Sequence, residues 1–247
     1  MTEPKWFAFD ARELARIADE HRERYAAAEP FPHVVLDNVL PRTVLDALLE
    51  EFPDPTDAWR SFDDRNQKKY GATAAEASLG DMTRNVLAEL NGAAFIEFVQ
   101  AMTGIEESLI PDPHFKGGGL HQVPPGGYLA VHADFNLHPL FHLDRRVNVL
   151  LYLNRDWDPE WGGQLELWDA TMSRAVRRID PVFNRMVIFS ITDTAFHGHP
   201  DPLQCPPGRA RRSLALYYYS NGRPEHERAD RHTTLFRSRP VEHAERS

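Results

Sequence analysis

The sequence predicts a mostly β protein with flanking helices, in which the helices come first along the chain. The first 109 residues contain long segments whose apolar residues recur at helical spacing, whereas after Pro111 the apolar residues fall in short runs. These runs either alternate with polar residues or are continuously apolar, and clusters of proline, glycine and aspartate separate them. About seven short strands with this spacing are typical of an antiparallel sandwich or barrel.

The first predicted helix covers residues 10–28. Asp10 is its expected N-cap because a glutamate, Glu13, follows three residues later, which is the capping-box pattern. Pro30 ends the helical pattern, since proline cannot continue a helix. The next segment, residues 33–40, is apolar and rich in β-branched side chains, and it therefore predicts a strand.

A second helix is predicted from residue 43 to residue 52, opened by Pro41. Residues 53–81 are polar and show little periodicity, and we expect a loop or a lid there. A third helix is predicted from about residue 83 to residue 102, because Gly104 stands where a helix stop is expected.

The second half of the chain contains the predicted strands. They lie at 119–123, 127–135, 146–153, 164–168, 174–180, 185–191 and 212–220. After residue 220 the chain is charged and poor in apolar residues, which predicts a tail packed on the surface or partly mobile. We expect one domain in three parts: a helical buttress with the first strand at 1–109, a β core at 110–220 and a polar C-terminal tail at 221–247.

Composition excludes several classes of function. The 247 residues include 28 Lys and Arg against 37 Asp and Glu, a net charge of −9, which argues against a dedicated nucleic-acid binder or a partner of anionic membranes. No run approaches 18 uncharged apolar residues, and the first residues lack a signal-peptide pattern. The lone Cys205 cannot form an intramolecular disulfide. These features predict a cytoplasmic protein.

The chain combines 12 histidines with one cysteine. A transition-metal site would therefore be built from imidazole and carboxylate groups rather than thiolates. The sequence also lacks the P-loop, dinucleotide-binding, zinc-protease, CxxC and GxSxG motifs.

The strongest candidate metal ligands are His132 and Asp134, at the end of a hydrophobic strand. Side chains alternate across a strand, so both project from one side, about 7 Å apart along it. His197, near the end of another apolar strand, is the expected third ligand. Two imidazoles and one carboxylate on one face leave open positions, as in non-haem Fe(II) oxygenases.

Two other histidine motifs compete with this assignment. His142 and Asp144 form a second HxD pattern, but charged residues flank it, which favours a solvated pair. His199 lies two residues beyond His197, and the proline after it favours a pocket rim or a solvent-facing position.

An anionic co-substrate would need a cation on the strand at 212–220. Arg211 shares a face with Ser213 and small side chains, which leaves room for a carboxylate and makes it the preferred candidate. Arg212 lies on the opposite face, which suits packing against helices, and it stays as the alternative. Arg209 fits best as a solvated residue of a basic turn.

Taken together, these residues resemble the iron(II)- and 2-oxoglutarate-dependent dioxygenases, in particular the prolyl-4-hydroxylase-like branch. The resemblance covers roughly residues 110–220. It is carried by His132-x-Asp134, the run Arg146–Trp157, the Gly162-Gly163 hairpin, Phe196-His197-Gly198 and Arg211-x-Ser213.

The resemblance implies a double-stranded β-helix, or jelly-roll, with a catalytic core at 110–220. It makes His132, Asp134 and His197 the iron ligands, and it implies Fe(II), 2-oxoglutarate and O₂ as cofactor and co-substrates. Tyr152 matches a family tyrosine that hydrogen-bonds the distal carboxylate of 2-oxoglutarate, and Arg211 matches the basic residue that pairs with it. Asn148 shares the face of Tyr152 and is a candidate pocket residue.

The implied reaction hydroxylates a C–H bond and releases succinate and CO₂. The substrate would be a small molecule or a peptidyl or amino-acid group, and the sequence does not choose among them. Two alternatives stay open, a cupin-type metal enzyme that does not use 2-oxoglutarate and a non-catalytic jelly-roll binding module.

Overall fold

The computed structural model describes residues 7–56, 59–72 and 79–240. Four α-helices lie in these ranges: α1 (Ala11–Ala26), α2 (Arg42–Glu51), α3 (Asp81–Leu90) and α4 (Ala93–Thr103). Asp10 caps α1 as predicted, because its carboxylate accepts hydrogen bonds from the backbone N–H groups of Arg12 and Glu13. No helix in the described ranges is long and apolar enough to cross a bilayer.

The predicted third helix is two helices, α3 and α4, which meet at Asn91 and Gly92. Both residue types have low helix propensity, and the Gly92 N–H bonds the Glu89 carbonyl to close a turn. Gly104 ends α4 in the left-handed conformation with φ 69°, as the sequence indicates.

Thirteen strands in the described ranges form one curled antiparallel sheet around a concave face. They are β1 (His33–Asp37), β2 (Arg60–Asp64), β3 (Gln67–Ala72), β4 (Ile110–Pro111), β5 (Gly119–Val123), β6 (Tyr128–Ala133), β7 (Asp144–Tyr152), β8 (Leu165–Trp168), β9 (Ala175–Ile179), β10 (Arg185–Ser190), β11 (His197–His199), β12 (Arg211–Ser220) and β13 (Leu235–Phe236). Along the sheet the order is β1-β10-β7-β12-β5-β3-β6-β11-β8-β9. Each of the seven strands predicted after residue 118 is present, within three residues of its expected bounds, and the mostly β, jelly-roll fold class is confirmed.

The predicted loop at 53–81 is wrong for residues 60–72, which form the hairpin β2–β3. β3 pairs with β5 and also with β6, so the hairpin belongs to the sheet. Most of the hairpin residues are charged or polar on both faces, which hid the period-2 pattern of a strand. Residues 57–58 and 73–78 of the same prediction lie outside the described residues.

The central strands separate a helix-covered core from the concave face. In β7, Val149 and Leu151 pack in the large cluster that includes the helices, whereas Asn148 and Tyr152 face the other side. This alternation is the expected result of strand geometry, in which successive side chains point to opposite faces. The helices therefore cover the convex side and leave the concave side open for a site.

A β-bulge interrupts the pairing of β7 with β12. Tyr218 pairs with Val147, but the next residue, Tyr219, pairs with Arg145, so Arg146 is the extra residue. A bulge reverses the alternation of side chains beyond it. It turns Arg145 toward the concave face and Arg146 toward the opposite side.

The segment after residue 220 packs on the sheet, in agreement with one of the two forms expected for the tail. Its strand β13 pairs with β6, with Phe236 opposite His132. Asn136 holds this segment next to β6, since its amide donates to the Asp230 carbonyl and its side-chain oxygen accepts from the His232 N–H. Residues 241–247 of the predicted tail lie outside the described residues.

Candidate active site

Three buried side chains converge where β6 and β11 lie side by side. His132 and His197 are direct partners in the antiparallel pairing, and Asp134 follows β6 by one residue. The Nε2 atom of His132 lies 3.6 Å from Oδ1 of Asp134, and Nε2 of His197 lies 3.4 Å from Oδ2. All three ligand atoms lie within 4.8 Å of one another, so one metal ion could contact all of them.

The hydrogen bonds of the two histidines fix their tautomers. Nδ1 of His132 lies 2.9 Å from the Ala130 carbonyl, and Nδ1 of His197 lies 2.9 Å from the Ala195 carbonyl. A carbonyl only accepts, so each Nδ1 carries the proton and each Nε2 presents a lone pair. Two lone pairs and the Asp134 carboxylate thus face each other, an acceptor set that a bound cation satisfies. The donor set fits an Fe(II) ion.

Asp134 is held in place by two further residues. Arg145 forms an ion pair with Asp134, with Nη2 3.0 Å from Oδ2, and the Asn148 amide donates a hydrogen bond to the same oxygen at 2.8 Å. Arg145 also donates from Nε and Nη2 to Oδ1 of Asn148, which closes the network. Burial alone would raise the pKa of Asp134, but the positive charge of Arg145 holds it well below its usual range.

The environment also keeps His197 neutral. Burial, followed by the neighbouring His132, lowers the pKa of His197 to about 4, and the neutral imidazole is the form that binds a metal. Arg145 is itself enclosed, because its guanidinium lies 3.5 Å from the ring centre of Tyr217 and 4.4 Å from that of Phe135. Sequence reasoning missed this arginine.

An inner cavity of about 80 Å³ adjoins the three candidate ligands. Arg211 lines it, donating from Nε to the Gly163 carbonyl and from Nη2 to the Tyr152 hydroxyl at 3.0 Å. Gly163 allows this approach, since a Cβ there would lie 3.1 Å from Cδ of Arg211 and 2.6 Å from Leu203. Ser213 lines the cavity from the same face of β12. Arg211 and Tyr152 are therefore hydrogen-bonded to each other, and Arg211 lines the inner cavity beside the candidate ligands whereas Tyr152 does not line it.

Arg212 projects from the opposite face of β12. Its Nε donates to Oε1 of Gln122 at 3.1 Å, and its guanidinium stacks over Phe52 of the helical side. It lines neither the inner cavity nor the larger one outside it. Arg209 donates to the Arg155 carbonyl at the turn before the strand.

Three basic side chains that the sequence analysis did not assign to the site line the inner cavity. His199 is 4% exposed, contrary to the expected rim or solvent position, because the two-residue period of β11 places it on the face of His197. His121 and Lys69 project from β5 and β3. The period of β11 could have identified His199, whereas Lys69 lies in the hairpin that the sequence did not reveal.

The inner cavity opens into an outer cavity of about 430 Å³. The hairpin β2–β3 and the segment 231–236 form two of its walls, and His132 and Asp134 lie at its base. The second HxD pattern is separate from it, since His142 is exposed and Asp144 bonds Arg223. This volume lies within the range of small-molecule sites.

Comparison with known proteins agrees with this geometry. Residues 118–219 match the family model described as the 2OG-Fe(II) oxygenase superfamily. No curated protein has a significantly similar sequence.

Several solved structures share the fold. A prolyl hydroxylase from Trichoplax adhaerens, in complex with a peptide fragment of the hypoxia-inducible factor oxygen degradation domain, is 18% identical, with a TM-score of 0.61 over 89% of this chain and 94% of that chain. A Pseudomonas putida prolyl-4-hydroxylase is 19% identical, with a TM-score of 0.55 over 84% and 99%. A Phytophthora capsici prolyl 4-hydroxylase is 17% identical, with a TM-score of 0.51 over 88% and 68%.

Proposed function

We propose that this chain is a 2OG-Fe(II) oxygenase that hydroxylates a C–H bond of a small-molecule or peptidyl substrate, a proposal supported by the match of residues 118–219 to that superfamily. The family uses Fe(II), 2-oxoglutarate and O₂, and the proposed products besides the hydroxylated substrate are succinate and CO₂. A peptidyl substrate is supported by the peptide bound to the Trichoplax enzyme, which shares the fold.

The observation that carries the proposal is the convergence of three buried acceptor groups beside one buried arginine. His132, Asp134 and His197 are the proposed iron ligands, and Arg211 is the proposed partner of the 2-oxoglutarate carboxylate. This arrangement supports a 2-oxoglutarate-dependent enzyme over the two alternatives, a cupin-type enzyme with another metal and a binding module without activity.

The iron, when bound with 2-oxoglutarate, supplies the oxidising chemistry, and the side chains supply position and environment. Arg211 offers a planar fork of donors to the distal carboxylate, steadied by its bond to Gly163. Burial raises the pKa of Tyr152, so its hydroxyl keeps a proton that it can donate to the same carboxylate. Leu150 and Phe189 line the inner cavity and exclude water from it.

The proposed function is tested by anaerobic addition of Fe(II) and 2-oxoglutarate. A visible charge-transfer band should appear with the native chain and should be absent in Asp134→Ala and His197→Ala, since each variant lacks a proposed ligand. His142→Ala is the matched control, because this exposed histidine belongs to the second HxD pattern and should leave the band intact. A native chain that binds iron without a 2-oxoglutarate-dependent band would contradict the proposal.

The assignment of the carboxylate partner is tested by titrating 2-oxoglutarate against the same band. Arg211→Ala should weaken 2-oxoglutarate binding by about tenfold or more, because a charge-assisted hydrogen bond in a buried cavity is lost. Arg212→Ala, one residue away on the opposite face, should leave the affinity within about twofold. The reverse order would assign the carboxylate to Arg212.

A further inference from the structure

The outer cavity is positively charged although the whole chain carries a net charge of −9. Five of its lining residues are cationic: Arg60, Lys69, Lys116, Arg145 and Arg231. Among the described residues that line either cavity, Asp134 is the one carboxylate, and it is a proposed metal ligand. The lining therefore differs in sign from the protein as a whole.

Four of these cations have no carboxylate partner in the part of the chain that the structure describes. Arg145 is already paired with Asp134, but no ion pair within 4.0 Å involves the remaining four. Arg60 and Lys69 instead lie over the ring of Phe62, with their charged atoms 4.5 and 5.5 Å from its centre. His232, which also lines the cavity, is bonded to Asp193.

Lys69 occupies the junction of the two cavities. It lines both of them, from the β3 strand that pairs with β5 and β6. Burial, only partly offset by Asp134, lowers the pKa of Lys69 to about 8, so a bound anion would stabilise its charged form. An ammonium group at this position faces whatever molecule lies next to the metal ligands.

The cations of the inner and outer cavities are placed to bind different molecules. Arg211 lines the inner cavity and not the outer one, and it is the proposed partner of 2-oxoglutarate. Arg60, Lys116 and Arg231 line the outer cavity and not the inner one. The outer cations thus lie where a substrate would enter, beyond the volume of about 80 Å³ next to Arg211.

We propose that the outer cavity selects a substrate that carries a carboxylate group, with Lys69 and Arg60 binding that group and Lys116 and Arg231 attracting it at the entrance. The inference rests on the proposed function and names the substrate class of the same site. Charges of one sign in a cleft with low-dielectric walls raise the local concentration of ligands of opposite sign. A free acid and an acidic side chain of a peptide share this chemistry.

The experiment compares matched acids and amides. The protein, loaded with Zn(II) and 2-oxoglutarate so that no turnover occurs, is screened by ligand-observed NMR against small carboxylic acids and their primary amides. A second arm uses peptides with Asp or Glu and the same peptides with Asn or Gln. The acids should bind at least about tenfold more tightly than their amides, which lack the charge that the cations recognise. Acid binding should also weaken as NaCl rises.

Variants identify the residues responsible. Lys69→Met and Arg60→Gln should each weaken binding of the acids that bind the native chain by about tenfold. Arg65→Gln is the matched control, because this exposed arginine of the same hairpin does not line either cavity and should leave acid binding unchanged.

Three outcomes would overturn the inference. These are equal binding of acids and amides, no binding of any acid at millimolar concentration, or equal losses in Arg65→Gln and Lys69→Met. Loss of 2-oxoglutarate binding in Lys69→Met with acid binding intact would assign Lys69 to the co-substrate instead. The iron and 2-oxoglutarate band separates the two proposals, because it persists when this inference alone fails.

Discussion

Arg145 connects the proposed metal ligands to the packing of the sheet. It is 1% exposed, it pairs with Asp134, and the rings of Tyr217 on β12 and Phe135 after β6 cover its guanidinium. From sequence, Arg145 and Arg146 are adjacent charges that favour a solvated segment. Their burial depends on the bulge in β7, which no local sequence pattern marks.

We expect Arg145→Met to weaken binding of a divalent metal by about 10- to 100-fold, since Asp134 would lose a partner that orients it. The same change should lower the free energy of unfolding by about 3 kcal/mol, because a buried carboxylate is left with one donor fewer. Titration with Mn(II), followed by calorimetry, measures the affinity, and urea unfolding measures the stability.

The control for this prediction is Arg146→Met. Arg146 is also buried and ion-paired, with Glu107 and Glu227, but it lies on the other side of the sheet. It should lower stability and leave metal affinity unchanged. If both variants weaken metal binding equally, Arg145 does not act through Asp134.

The sequence was sufficient to nominate the proposed metal ligands because side chains alternate strictly along a strand. His132 and Asp134 share a face two residues apart, and the apolar strand before them fixes that face. Arg211 and Arg212 were separated by the same rule, and their contacts lie on opposite faces of β12. His138 is buried beside Asp112, a contact between distant segments that sequence spacing does not reveal.

At the scale of elements, long apolar segments were predictable and polar ones were not. The apolar strands from β5 to β12 follow their hydrophobic runs, whereas the hairpin β2–β3 carries charges on both faces. Its strand structure comes from pairing with β5 and β6, which is a tertiary effect. The break between α3 and α4 reflects the Asn91-Gly92 pair, a local signal that helical periodicity on both sides obscured.

The short strand β11 depends on Gly198. A Cβ at Gly198 would lie 2.8 Å from the Leu129 carbonyl oxygen and 2.9 Å from that of Ala130, both of which are backbone atoms of β6. Gly198→Ala should therefore separate β11 from β6, lower the free energy of unfolding by about 1–3 kcal/mol and move His197 away from the other ligands. Urea unfolding and Mn(II) titration measure the two effects.

Gly71→Ala provides the comparison for this element. A Cβ at Gly71 would meet its nearest atoms at 3.6 Å, an ordinary van der Waals distance, and this change should cost less than about 1 kcal/mol. A Gly198→Ala chain as stable as the native one would show that β11 tolerates the wider spacing.

For the whole molecule, histidines with lowered pKa values limit stability in acid. Burial, reinforced by the charge of Lys69, lowers the pKa of His121 to about 3, against about 6.5 in an unfolded chain. Between pH 7 and pH 5 the unfolded chain therefore binds a proton at His121 that the folded chain does not. The free energy of unfolding should fall by up to about 2 kcal/mol over this interval from His121 alone. Burial also lowers the pKa of His33, so His33 contributes to the same loss of stability at low pH.

Urea unfolding at pH 7 and pH 5 measures this loss. His121→Gln should show a smaller decrease than the native chain, because glutamine does not titrate. His142→Gln, a change at an exposed histidine, should keep the full decrease. If the His121→Gln variant loses as much free energy of unfolding between pH 7 and pH 5 as the native chain, other groups cause the loss of stability in acid.

The site is assembled from segments that are far apart in the chain. Its floor comes from β6, one wall comes from residues 60–71 and another from residues 231–236, where the ring of Phe236 lies tilted against that of His132 with ring centres 5.5 Å apart. Protein chains emerge from the ribosome N-terminus first, at about 5–20 residues per second. The helices and all three proposed iron ligands are thus synthesised before the strand that closes the pocket. Without residues 231–236 the chain would carry all three proposed ligands in a cavity that lacks one wall, so the pairing of β13 with β6 completes the pocket.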